Sequence, residues 1–175
     1  DIVSRADREV EDLIRAAITT AYPHDAILGE EEGETSGTTG FQWVIDPIDG
    51  TSPYLAGLPH WCVVIALVQD GQVVAGVTVH PLSGDLYTAI RGQGAWLNGQ
   101  PMACSPDHRI DNSLVAIGAS HRTDPRHVAD VIVALMAQGG IFYRNGSGAL
   151  MLAQVASARL GGYYEPHMNP WDCLA

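Results

Sequence analysis

One short run constrains this chain more than any other stretch: Asp46-Pro47-Ile48-Asp49-Gly50-Thr51. It follows the apolar, aromatic segment Phe41-Gln42-Trp43-Val44-Ile45, which reads as a buried strand. Proline fixes its own φ, lacks an N–H and pushes the preceding residue towards an extended conformation. The strand is therefore expected to run up to Asp46 and stop, leaving Asp49 on a turn beside Gly50. A strand end that presents two acids and then a glycine turn with free N–H groups suits a divalent cation that holds a phosphate.

The rest of the composition narrows the class. A length of 175 residues suffices for one sizeable core or two small lobes. With 46% hydrophobic and 17% charged residues, the chain is globular rather than disordered. Its longest apolar run, Trp61 to Val68, is too short to span a membrane, and no signal peptide is visible. Cys62, Cys104 and Cys173 show no paired spacing, which favours reduced thiols and a cytoplasmic location. The formal net charge of −11 argues against a nucleic-acid polymer as partner, because phosphate-backbone binding wants basic patches. The same charge repels phosphate esters, unless bound Mg²⁺ reverses the sign of the site locally. All nine basic residues are Arg. Without Lys there is no P-loop and no Schiff-base or pyridoxal chemistry.

Periodicity lays out the elements. Val3, Ala6, Val10, Leu13, Ile14, Ala17, Ile18 and Ala21 recur at helical spacing, so an amphipathic helix is expected from about Ser4 to Ala21. Ala26-Ile27-Leu28 reads as a short strand feeding Gly29-Glu30, and Gly33 to Gly40 as a mobile loop. Strand signals follow at Phe41–Asp46, Trp61–Gln69, Val73–His80, Asp85–Ile90 and Ala95–Leu97, with tight turns at Asp70-Gly71 and Asn98-Gly99. From Ser113 the pattern alternates: a strand to Ala119, a helix near Pro125–Ala137, a strand at Ile141–Arg144, a helix near Ala149–Arg159 and a strand at Gly162–Glu165. This divides the chain into an N-terminal α+β lobe, 1–108, and a C-terminal α/β lobe, 109–175.

Four segments, taken in order, resemble the inositol monophosphatase family of metal-dependent, lithium-sensitive phosphatases. They are Asp1-Ile2-Val3-Ser4-Arg5-Ala6-Asp7, Gly29-Glu30-Glu31, Asp46-Pro47-Ile48-Asp49-Gly50-Thr51 and Pro170-Trp171-Asp172-Cys173-Leu174-Ala175. The resemblance runs the length of the chain, although members of the family normally continue beyond both ends. It implies a layered α-β-α-β-α sandwich of the sugar-phosphatase type, trimmed at both ends, and a homodimer. It also implies two to three Mg²⁺ ions. Glu30, Asp46 and the Ile48 carbonyl would hold the first, and Asp46, Asp49 and Asp172 the second. A third, weaker ion would use Glu30 and water. Thr51 and Asp7 resemble the pair that orients and deprotonates the attacking water, with Glu30 as a further catalytic acid. Asp49, Gly50, Thr51 and Ser52 match the phosphate cradle, and Gly148 and Glu165 the positions that touch the alcohol. Gly148 stands where a small alkyl side chain is expected, which would widen the pocket.

The physical reading agrees with that assignment. Mg²⁺ takes about six oxygen ligands. Four acids and a carbonyl suffice for two ions when waters complete the shells. Carboxylates crowded together without a cation raise one another's pKa. Each acid also has an ordinary reading: a solvated charge or helix cap for Asp46 and Asp49, an exposed helix carboxylate for Asp7, a bystander beside Glu31 or Glu32 for Glu30, a first-turn helix acid for Asp172, and a strand-end surface acid for Glu165. Asp172 lies three residues from the chain end, where fraying is common. Gly146-Ser147-Gly148-Ala149 offers either an anion cradle or close helix–strand packing. His60, His80, His121 and His167 fall at strand or turn ends and read as structural or solvent-facing, and no His pair at helical spacing suggests zinc. The haloacid dehalogenase phosphatases share an Asp-Gly-Thr step, but their acids lie two apart and they usually need a Lys.

The expected reaction is in-line hydrolysis of a small phosphate monoester by water that a metal activates, with inositol monophosphate foremost. Histidinol phosphate, fructose 1,6-bisphosphate and a 3′-phosphoadenylate are the alternatives within the family. An inactive metal- or phosphate-binding module is the alternative outside catalysis.

Overall fold

The structure, a computed structural model, describes residues 4–175, so Asp1-Ile2-Val3 of the first acidic segment lie outside the described residues. In chain order the elements are α1 (Arg5–Ala21), β1 (Ala26–Gly29), β2 (Gly33–Thr35), β3 (Phe41–Asp49), α2 (Thr51–Leu55), β4 (Cys62–Gln69) and β5 (Gln72–His80). They continue with β6 (Asp85–Ile90), β7 (Gly94–Leu97), β8 (Gln100–Met102), β9 (Leu114–Ile117), α3 (Pro125–Ala137), β10 (Ile141–Tyr143), α4 (Gly148–Ala156), β11 (Gly162–Tyr164) and α5 (Pro170–Cys173).

Two sheets organise them. The larger has the order β2-β1-β3-β4-β5-β6-β7-β8 and is antiparallel except for the β1–β3 pair. The smaller, β10-β9-β11, is parallel throughout. Side chains alternate across a strand, and β3 shows the consequence. Ile45 packs with Ile27 and Ile18 beneath α1. Its neighbour Val44 packs with Ala66, Val68, Trp171 and Leu174, on the face that α5 covers. Helix α4 is buried on both sides. Ala149, Leu150 and Ala153 meet Cys62, Val64 and Tyr87 of the large sheet, and Met151 meets Ala116 of the small one. Ile117 then packs against Val128 and Leu135 of α3. The layers therefore run α1, large sheet, α4 with α5, small sheet, α3: the expected α-β-α-β-α order.

The hairpins form where the sequence placed them. Asp70 and Gly71 have φ of 49° and 77°, and Asn98 and Gly99 have 51° and 77°. Two consecutive positive φ values make the turn that matches strand twist.

Four local expectations are corrected. The Gly33–Gly40 segment is not wholly a loop, because Gly33–Thr35 pairs with β1 as an edge strand. The strand through Ile45 does not stop at Asp46; it continues past Pro47 to Asp49. Helix α4 ends at Ala156 rather than Arg159, as the chain turns through Ala158 at a φ of 60°. In α1 the buried line is Asp7, Glu11, Arg15 and Ile18, whereas Leu13 of the expected apolar stripe is 71% exposed. Spacings of four, four and three residues keep that line on one face. Of its polar members, Glu11 and Arg15 pair with each other, and Asp7 accepts hydrogen bonds from Ser4 and Thr51.

Candidate metal and phosphate site

The continuation of β3 past Pro47 builds the site. Asp46 lies opposite Val64 of β4 and Asp49 opposite Cys62, so three steps on β3 match two on its partner. That is a one-residue bulge, where a residue with no N–H is tolerated. In a regular strand, residues three apart point to opposite faces. The bulge cancels the odd step and brings both carboxylates to one face. Asp172, on the single turn of α5, comes to the same place. Oxygens of Asp46, Asp49 and Asp172 all lie within 4.8 Å of one another.

Asp172 and Asp49 are held by donors that leave part of each available. Asp172 caps its own helix by accepting the Asn169 amide at 2.8 Å. Trp171 and Leu174, on either side of it, are partly buried and pack against Val44, Ala66 and Val68. Asp49 accepts the Ala149 amide at 2.7 Å, the Gly148 amide at 3.3 Å and the Ser147 hydroxyl. The Gly146–Ala149 segment is thus a cradle, and the anion in it is the protein's own Asp49. Asp46 is only 1% exposed, and its Oδ1 has no hydrogen-bond partner. A buried, unpartnered carboxylate oxygen beside two other carboxylates is costly unless a cation satisfies it.

The electrostatics say the same. Burial and the charges of Asp49, Glu30 and Asp172 push the Asp46 carboxyl well above the ordinary range. Burial, then Asp172, raises Glu30 from 4.5 to about 7. Burial raises Asp49 from 3.8 to about 6, although the Ser147, Ala149 and Gly148 donors oppose the rise. Asp172 is raised mainly by burial. Glu30 stands beside the tight Asp cluster, close enough for Asp46 and Asp172 to act on it. Oxygen donors of this kind suit a hard divalent cation such as Mg²⁺, and the orphan Asp46 oxygen fits one.

Next to the acids, Gly50 starts α2 at a φ of 96°. A Cβ there would lie 2.7 Å from the His60 carbonyl oxygen, so the sharp exit from β3 needs glycine. Thr51 follows, its hydroxyl 3.2 Å from both Asp7 Oδ1 and the Ile48 carbonyl oxygen. Asp7 is fully buried, and its Oδ2 accepts the Ser4 amide at 2.9 Å in the cap of α1.

These groups open on a cleft of about 600 Å³. Glu30, Asp49, Gly50, Thr51, Ser52 and Asp172 line it, together with Gly148, Glu165, Arg122 and Arg144.

The inositol monophosphatase family model matches residues 1–175. This chain belongs to the inositol monophosphatase family. It is 35% identical over 178 residues to the inositol-1-monophosphatase of Rhizobium meliloti strain 1021, covering 100% of this chain and 67% of that protein. It is 37% identical over 178 residues to Nus factor SuhB of Escherichia coli K12, with the same coverage. The inositol monophosphatase structure from Anabaena (Nostoc) sp. PCC 7120 superposes with a TM-score of 0.90 at 34% identity, covering 99% of this chain and 70% of that one. The chain thus spans about two thirds of the length of these relatives. The haloacid dehalogenase alternative falls with this membership.

Within this inositol monophosphatase fold, the residues singled out from the sequence converge, though unequally. Asp46, Asp49 and Asp172 form the cluster and Glu30 flanks it, while Asp7 meets Thr51. Ser52 and Gly148 line the cleft, as does Glu165, which accepts the Tyr163 hydroxyl. His121 and His167 also line it. Sequence reasoning placed Ser147 in a possible anion cradle but did not find its partners: it is fully buried between Asp49 and Cys62. Its signal was a serine just before a helix, a common cap. Sequence reasoning missed Arg122 and Arg144, which single spacing patterns do not mark.

Proposed function

We propose that this chain hydrolyses a small phosphate monoester in a Mg²⁺-dependent reaction, with inositol monophosphate as the leading substrate. The observation that carries the proposal is the buried Asp46 oxygen with no partner, set among Asp49, Asp172 and Glu30.

In this reading Glu30, Asp46 and the Ile48 carbonyl would hold one ion, and Asp46, Asp49 and Asp172 would hold a second. Bound there, the ions supply positive charge for the phosphate and acidify water. The chain's own groups do the rest. The Gly50 and Thr51 backbone and the Ser52 hydroxyl orient phosphate oxygens. The Thr51 hydroxyl donates its proton to Asp7 Oδ1, which leaves the Thr51 oxygen free to accept one from water. Asp7, buried and fixed by the α1 cap, thus holds the proton that water loses, and the departing alcohol oxygen regains one through solvent. Glu30 would serve as a second acid. In the same cleft Glu165, whose Oε2 accepts the Tyr163 hydroxyl, would accept hydrogen bonds from the hydroxyls of the alcohol portion; the space beside Gly148 is taken up by Met168 and Tyr163. Support for a phosphate ligand in so acidic a chain also comes from Arg122 and Arg144, which line the cleft.

The test is phosphate release from inositol monophosphate, histidinol phosphate, fructose 1,6-bisphosphate and a 3′-phosphoadenylate, with and without Mg²⁺ and Li⁺. Mg²⁺-dependent, Li⁺-inhibited release is expected. Mg²⁺ binding without turnover of any ester would instead favour a metal-binding module. An aspartyl-phosphate trapped on Asp46 would overturn direct attack by water.

A further inference from the structure

The charged line buried under α1 ends beside Glu30. Glu11 is 0% exposed, and Arg15 is 9% exposed. Arg15 Nε donates to Glu11 Oε1 at 2.7 Å. The other guanidinium nitrogens donate to the Gly33 carbonyl at 2.5 Å and the Thr35 hydroxyl at 3.2 Å. The remaining capacity of Glu11 goes to the chain just after Glu30. Its Oε2 accepts the Glu31 amide at 2.9 Å, and its Oε1 accepts the Glu32 amide at 3.2 Å. Glu30 itself is tied the other way, its amide donating to the Ile45 carbonyl at 3.2 Å, one residue before Asp46. The approach is close enough to exclude a side chain on the residue before Glu30. A Cβ on Gly29 would lie 1.9 Å from Glu11 Oε1 and 2.7 Å from Arg15 Nη2.

We infer that Glu11 and Arg15 are positioning residues for the cation site: together they clamp the Glu30–Gly33 turn onto α1 and so fix where the Glu30 carboxylate stands. The inference rests on the reading of Glu30 as a cation ligand. It accounts for a feature that the cluster itself leaves unexplained. A buried ion pair contributes little net stability against an apolar replacement. Here the pair contacts Glu31, Glu32 and Gly33 of one turn, Arg15 also lying 3.5 Å from Glu32 Oε2, and that turn carries Glu30. Groups that orient a ligand without touching the cation typically govern its affinity by about 10–100-fold.

The experiment is calorimetric titration of the chain with Mg²⁺ alone, beside hydrogen exchange of the Glu31 and Glu32 amides and thermal melting. It compares the wild type, Glu30→Gln, Glu11→Gln and the double variant E11M/R15M. The double variant removes the pair without stranding a buried charge, so it keeps the test alive where Glu11→Gln does not fold. Expected are a Mg²⁺ affinity about 10-fold weaker in both Glu11 variants and faster exchange at the two amides. The melting temperature of the double variant should stay close to the wild type. A structural role alone would lower melting and leave Mg²⁺ affinity untouched. Faster amide exchange with wild-type Mg²⁺ affinity overturns the inference. If Glu30→Gln weakens Mg²⁺ and the Glu11 variants do not, the positioning role falls while the site reading stands. If the wild type binds no Mg²⁺, the site reading itself falls, and the inference with it.

Discussion

At the scale of single residues, Asp46 joins the most functional weight to the least comfortable surroundings. It is buried, its Oδ1 is unpartnered, and three other acids raise its carboxyl. Asp46→Asn removes a charge that the metal-free protein holds at a cost. The expected outcome in chelator is a melting temperature equal to or above wild type, with the rise caused by added Mg²⁺ abolished. Parallel melts with and without Mg²⁺ check this, and a variant destabilised in chelator would count against it. Phosphate release by the same variant should fall by at least about 100-fold, since the one carboxylate that the two proposed ions share is lost. Residues of this kind were legible in the sequence because proline and glycine punctuate them. Asp7 was not legible on its own. It lies off the apolar stripe of α1, where an acid ordinarily faces water, and only the resemblance marked it out. Glu11 and Arg15 were hidden for the same reason. Burial of a paired charge leaves no trace in a hydrophobic pattern, although their separation by four residues allows a helix pair.

At the scale of elements, the site is a junction of one strand bulge and three helix starts. The bulge in β3 aims Asp46 and Asp49, α5 supplies Asp172, and α4 is capped by Asp49 together with Ser147. Ser147→Ala takes away the hydroxyl that donates to Asp49 and accepts the Leu150 amide at 3.3 Å. A cost of about 1 kcal/mol is expected from the cap alone, read by urea denaturation, together with weaker Mg²⁺ binding. Unchanged Mg²⁺ affinity would separate the cap from the site. Gly50→Ala should cost about 1–2 kcal/mol from its positive φ, and more from the 2.7 Å approach to the His60 carbonyl oxygen. The sequence showed the strand, the proline and the turn, but it did not show that the strand resumes. Proline ends a strand unless a bulge absorbs it, and that depends on β4 being present across the ladder to pair with Asp49. In the same way, Gly33–Thr35 becomes a strand only because β1 offers an edge. Ser147 is linked to Asp49 across 98 residues, a separation that no local pattern spans.

At the scale of the whole molecule, a five-layer fold places an acidic cleft in a chain of net charge −11. Among the described residues no helix is long and apolar enough to cross a membrane. The acids make stability depend on pH in opposite senses with and without metal. Glu30 is raised from 4.5 to about 7 and Asp49 from 3.8 to about 6. A raised acid favours the folded state while protonated. Its contribution is complete below the unfolded value and is lost as pH climbs through the folded one. Without metal, melting temperature is therefore expected to decline between about pH 4 and about pH 7 on account of these groups. Mg²⁺ needs the ionised acids, so its stabilising effect should grow over the same interval and its binding should release protons. Melting curves at both ends of the interval, in chelator and in Mg²⁺, check both signs. The layer order was legible from alternating strands and helices and from the family resemblance. The burial of α4 between two sheets was not, because it depends on contacts between distant parts of the chain.

The central claim is that Asp46 bridges two cations held by acids from three parts of the chain. Anomalous diffraction from crystals soaked in Mn²⁺, standing in for Mg²⁺, tests it most directly. Two peaks are predicted, one between Asp46, Asp49 and Asp172 and the other between Asp46, Glu30 and the Ile48 carbonyl. Peaks only at other acids, or none within coordinating distance of Asp46, would contradict the account.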